Sequence, residues 1–151
     1  MTSQVIAPSK GITLRLSRRF PRPPEAVFRA WTNPDTLRRW WCPAGWAPAE
    51  MEVDLRVGGA YRLGMRRIEG GDPVYVRGRF LEVSAPEKLT YTWKWENAFD
   101  QMPETRVTVK FIDSAGATEL ELTHEPLPEI PICLRHRTGW VEAWQRLKEI
   151  L

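Results

Sequence analysis

Hydrophobic and polar positions follow two different periods along this chain. In GITLRLSRRF, Ile12, Leu14 and Leu16 alternate with Thr13, Arg15 and Ser17, the period of a half-buried strand. The pattern then turns helical. In PRPPEAVFRAWTN, Val27, Phe28 and Trp31 form an apolar stripe, the prolines suit a first turn, and Glu25 complements the N-terminal dipole. NPDTLRRWW predicts a second short helix, with Asn33 as cap, Pro34 at its first position and Leu37 and Trp41 at i,i+4. Pro43 and Gly45 end it.

Period two returns in the middle of the chain. EMEVDLRVGGAYRLGMRR predicts two short strands joined around Gly58 and Gly59, with Tyr61, Leu63 and Met65 on one face. VYVRGRFLEV follows the EGGDP turn, and Gly78 within it signals a bulge or a close approach. In LTYTWKW, Leu89, Tyr91, Trp93 and Trp95 point one way, and Thr90, Thr92 and Lys94 the other. TRVTVKFID aligns Val107, Val109 and Phe111, and TELELTHE aligns Leu120, Leu122 and His124. Short turns between these segments imply an antiparallel meander of about seven strands when the first is included. The chain closes on the longest helix, PEIPICLRHRTGWVEAWQRLKEIL, where Trp140, Ala143, Trp144, Leu147 and Leu151 form one face. Gly139 inside that helix costs about 1 kcal/mol relative to Ala, and a glycine kept there marks close packing or the approach of a ligand.

The inward set is unusually aromatic. Tyr61, Tyr91, Trp93, Trp95 and Phe111 face Trp140 and Trp144, and buried indole N–H and phenol O–H groups need partners. Two arrangements accommodate them: a tightly filled core, or an apolar cavity with a few convergent polar groups. The stretch RRWWCPAGW sharpens the choice, because it places Trp40, Trp41 and Trp46, three of the chain's eight tryptophans, where a helix gives way to a loop. Trp40 is expected to plug the helix onto the core, and Trp41 or Trp46 to form a lid over a cavity mouth.

Composition removes other classes. Lys and Arg number 22 against 19 Asp and Glu, a net charge of +3 with both signs interleaved, so no basic stripe marks a nucleic-acid partner. The exception is the cluster Arg62, Arg66, Arg67, Arg77 and Arg79, which strand alternation assigns largely to a solvated face. No run approaches the roughly 18 apolar residues of a membrane span, so no integral membrane association is expected. Cys42 and Cys133 lie far apart and suit a reducing, cytoplasmic setting. With His124 and His136 they supply no zinc spacing, so neither a metal nor a cofactor is expected. The N-terminus has no signal-peptide pattern, and residues 1–11 are expected to be flexible, ahead of a single domain over 12–151.

The motifs FPRPPEAVFRAWTNPDTLRRWW, VDLRVGGAYRL, GRFLEVSAPEKLTYTWKW, TELELTH and the terminal GWVEAWQRLKEIL are similar to those of a known family. Over residues 12–151 the chain resembles the Hsp90 ATPase activator homologues (AHSA1-like), within the START/Bet v 1-like (SRPBCC) helix-grip superfamily. The resemblance implies an α+β helix-grip fold: two short helices after the first strand, and a curved antiparallel sheet wrapped around the long C-terminal helix. It also implies a deep cavity between sheet and helix. Superfamily members bind lipids, sterols or polyketides, and a minority are enzymes.

The first functional expectation is therefore non-enzymatic binding of a hydrophobic or aromatic small molecule. The candidate binding residues are Trp41, Trp46, Tyr61, Leu63, Met65, Tyr91, Trp93, Trp95, Phe111, Leu122, His124, Trp140 and Trp144. His124, Tyr61 and Tyr91 would orient polar groups. No catalytic residue is assigned: His124 has no inward carboxylate, lysine or second histidine evident beside it, and nucleophile and phosphate-loop motifs are absent. Two alternatives stand: a cyclase or hydrolase acting on a bulky aromatic substrate in the same cavity, or an Hsp90-type chaperone-interaction module. Edge strands leave a homodimer open.

Overall fold

The computed structural model describes residues 11–151; the flexible start expected for residues 1–11 lies, up to residue 10, outside them. Strand β1 (Ile12–Phe20) leads into helices α1 (Pro24–Thr32) and α2 (Pro34–Trp40). Strands β2 (Trp46–Val53), β3 (Ala60–Arg67), β4 (Val74–Ser84), β5 (Lys88–Trp95), β6 (Thr105–Ser114) and β7 (Ala117–Leu127) follow, and helix α3 (Ile130–Ile150) ends the chain. The seven strands form one antiparallel sheet in the order β1-β7-β6-β5-β4-β3-β2, curled into a half-barrel. Consecutive hairpins build the meander, and β1 closes it by pairing with β7, Leu16 opposite Leu122.

Local chemistry explains the helix ends. The Asn33 side chain accepts from the Asp35 backbone N–H at 2.8 Å, and proline occupies the first turn of all three helices. Strand β2 begins at Trp46, earlier than the pattern from Glu50 suggests, so Trp46 stands in a strand opposite Arg67 and not in a loop. Pro48 is tolerated there because β2 is an edge strand, and the register slips between Pro48 and Met51.

Gly78 marks a close approach between strands. A Cβ at this position would overlap the Thr92 carbonyl of β5, the oxygen that accepts from Tyr61 Oη at 2.5 Å. Gly78→Ala is expected to destabilise the fold by about 1–3 kcal/mol through overpacking, read as a lower urea midpoint with an unchanged slope.

The concave face of the sheet is filled unevenly. Around α1 and α2 it is dense: Phe28 meets Phe111 at 5.2 Å, Trp31 meets Trp40 at 5.0 Å and Phe20 meets Trp144 at 6.0 Å. Further along α3, around Trp93, Trp95 and Gly139, the space between helix and sheet stays open.

Candidate functional site

That open space is a cavity of about 770 Å³, within the usual range for small-molecule sites. Its wall is built from β5 (Trp93, Trp95), β3 (Met65), the α2–β2 turn with Trp41 and Trp46, the β5–β6 loop with Phe99, and the α3 face carrying His136, Gly139 and Trp140. Gly139 contributes space: nothing lies within 4 Å of where its Cβ would stand, so it marks an opening and not a close helix contact. Gly139→Ala is therefore expected to gain about 0.5–1 kcal/mol of stability from helix propensity, with thermal unfolding as the measurement.

Phe99 has φ of +48°, a left-handed conformation that non-glycine residues rarely adopt. Its ring packs at 4.7 Å on His136 and 5.3 Å on Trp95, so the loop puts its aromatic side chain into the wall at the cost of local strain.

Of the sequence candidates, Trp41, Trp46, Met65, Trp93, Trp95 and Trp140 line this cavity. Tyr61, Leu63 and Tyr91 surround a separate void of only about 20 Å³. Phe111, Leu122 and Trp144 belong to the filled part of the core. Both phenols are committed inside the protein. Tyr61 donates to Thr92 O, Tyr91 Oη accepts from Trp31 Nε1 at 3.4 Å, and burial pushes both phenols well above their ordinary value of 10.

The two histidines are paired to tryptophans. An indole N–H can only donate, so Trp140 Nε1 at 3.4 Å makes Nδ1 of His124 an acceptor and puts the proton on Nε2. That Nε2–H donates to Thr105 Oγ1 at 2.9 Å, and the hydroxyl passes on to Trp93 O at 3.3 Å. On α3, His136 Nε2 accepts from Trp95 Nε1 at 3.0 Å, which puts its proton on Nδ1, donating to Ile132 O at 2.9 Å. Both rings are neutral and fully bonded, and burial holds both below the ordinary 6.5. The second inward histidine that the strand pattern does not reveal is thus present, with its ring 5.3 Å from that of His124. Its clue is spacing: His136 precedes Trp140 by four residues and extends the same helical stripe. Two further indole N–H groups, of Trp93 and Trp144, have no acceptor among the described residues.

Cys42 is buried beside the cavity. Its thiol donates to Trp46 O at 3.1 Å and receives Arg146 Nη1 at 2.7 Å. Burial pushes the thiol up against the opposing pull of Arg146, which favours the protonated, unreactive form. Among the described residues no cluster of His, Cys, Asp and Glu has the geometry to hold a metal, and no helix is long and apolar enough to cross a membrane.

A curled antiparallel sheet gripping a long C-terminal helix, with a cavity between them, defines a helix-grip protein. Residues 21–151 match the family described as Activator of Hsp90 ATPase homolog 1-like protein, and the chain belongs to that family. Solved structures agree. Protein CV1439 from Chromobacterium violaceum is similar at 30% identity and a TM-score of 0.83, covering 91% of this chain and 95% of its own. The AHSA1 protein SPO3351 from Silicibacter pomeroyi is similar at 30% identity and 0.79, with the same coverage of 91% and 95%. PFC0360w, an Hsp90 activator from Plasmodium falciparum, is similar at 29% identity and 0.71, covering 93% and 96%. No curated protein sequence matches this chain significantly.

Proposed function

We propose that this protein binds a flat hydrophobic small molecule in the cavity between sheet and α3. The observation that carries the reading is a half-open space of about 770 Å³ walled by Trp41, Trp46, Trp93, Trp95, Phe99 and Trp140. Stacking on these rings supplies affinity, and Gly139 keeps the space clear. The imidazoles support binding over acid–base work, because their ring nitrogens already serve Trp95, Trp140, Thr105 and Ile132.

Native mass spectrometry of the freshly purified protein, followed by denaturing extraction, tests the reading. Fluorescence titration with fatty acids, sterols and flat aromatic compounds completes it. The expected result is a retained or added small molecule that quenches the tryptophans. Gly139→Phe, which fills the cavity from α3, is expected to weaken binding by at least about tenfold, since losing one stacked contact is worth roughly 1.4 kcal/mol or more. A clean apo mass with no quenching across the panel overturns the proposal.

The similarity to an Hsp90 activator supports a second reading, a chaperone-interaction module. It predicts stimulation of Hsp90 ATPase turnover by this protein that survives Gly139→Phe, because an outer surface would do the work.

A further inference from the structure

The arginines of β3 and β4 divide into two groups. Arg62 donates twice to Glu96 at 2.8 and 2.9 Å, and Arg77 lies 3.7 Å from the same carboxylate. Arg66 donates to Gly71 O and Arg79 to Gly58 O. Arg67 is different. Its guanidinium lies over the Trp46 ring at 4.6 Å and, among the described residues, neither donates a side-chain hydrogen bond nor pairs with a carboxylate. Arg135 of α3 repeats the arrangement, over the Phe99 ring at 4.6 Å and equally without an acceptor among the described residues. Both arginines, and both rings beneath them, line the cavity.

A guanidinium stacked on an aromatic ring uses its face and leaves its N–H edge free for a planar oxyanion. Two carboxylates share the wall. Glu142 Oε1 already accepts from the Ala44 N–H at 3.0 Å, whereas Asp72 is exposed on the turn after Gly70 and Gly71 and opposes an anion. Two unsatisfied cations therefore meet one uncommitted carboxylate. Deeper in, the wall is apolar and His136 is neutral, so a charged group is favoured only at the mouth.

We infer that the ligand is an anionic amphiphile, a carboxylate or sulfonate on a flat apolar body. The anion is received by Arg67 and Arg135, and the body lies against Trp41, Trp93 and Trp95. This rests on the cavity reading above and adds the charge of the ligand to it.

The test compares two probes that share one aromatic skeleton: 1-anilinonaphthalene-8-sulfonate and its neutral counterpart N-phenyl-1-naphthylamine. At low salt the sulfonate is expected to bind about tenfold or more tightly than the neutral probe, and the ratio should shrink as salt is raised. In the double variant Arg67→Gln, Arg135→Gln the ratio should fall to near one, and in Asp72→Asn it should rise. Gly139→Phe should abolish sulfonate binding. Equal affinities in the parent protein, or a ratio that survives the double variant, overturn the charge preference while leaving the cavity reading intact. Sulfonate binding undiminished in Gly139→Phe puts the probe elsewhere and overturns the inference. Binding of neither probe overturns both readings.

Discussion

Trp40→Ala is expected to remove about 3–5 kcal/mol of folding free energy, a large share of the roughly 5–15 kcal/mol that holds a domain of this size. The indole is fully buried, tilted against Trp31 at 5.0 Å, and its N–H donates to Ala30 O at 2.9 Å. Truncation opens a cavity between α1 and α2 and leaves a buried carbonyl without its donor. Urea unfolding followed by circular dichroism measures the loss. Trp46→Ala supplies the contrast within the same nine residues. Its ring is half-buried at the cavity rim under Arg67, so about 1 kcal/mol is expected, mainly the lost cation–π contact. Similar costs for the two would mean that the rim tryptophan is as structural as the core one.

The cluster RRWWCPAGW thus divides by depth. Trp40 joins the two short helices, Trp41 is buried in the cavity wall 6.3 Å from Trp93, and Trp46 opens β2 at the rim. Backbone contacts hold Trp46 in place, since its carbonyl receives the Cys42 thiol and Arg146. A tryptophan that serves as a hinged lid would not be tied down by its own strand.

Strand alternation and the stripe on α3 made the architecture legible, because each element has one apolar face and only a sheet wrapped on a helix buries them all. The inward set from Tyr61 to Trp144 is buried throughout. Alternation tells in from out, but not where along the trough a residue lies. Phe111 and Trp93 read alike in sequence; Phe28 and Trp31 cover the first, while nothing from α1 or α2 reaches the space beside the second. The position of Phe99 depends on a left-handed backbone in an irregular loop, and that of Arg135 on a tertiary contact, so neither carries a period to read. His136 was legible. Its place four residues before Trp140 extends the stripe by one turn, and a polar residue there signals a hydrogen-bonding partner for a buried indole.

Acidification is expected to destabilise this protein well before its carboxylates titrate. His124 and His136 are held below their ordinary 6.5 chiefly by burial, each in the field of a neighbour: His136 for the former, Arg135 for the latter. The unfolded chain therefore binds protons that the folded chain refuses, and stability must fall as pH drops below 6.5. Above that value both states are neutral and the histidines contribute no slope. Below it each adds up to about 1.4 kcal/mol per pH unit, until the folded form itself accepts the proton. Protonation then sets N–H against N–H, because His136 Nε2 faces the Trp95 donor and His124 Nδ1 faces that of Trp140. Urea midpoints between pH 7 and 5 measure the effect in a window where unperturbed Asp and Glu stay ionised. His136→Gln, whose amide oxygen can still accept from Trp95, should roughly halve the slope even if it lowers stability overall. An unchanged slope in that variant would mean that His136 takes up its proton in the folded state without cost, contrary to the bonded, neutral ring on which the cavity wall depends.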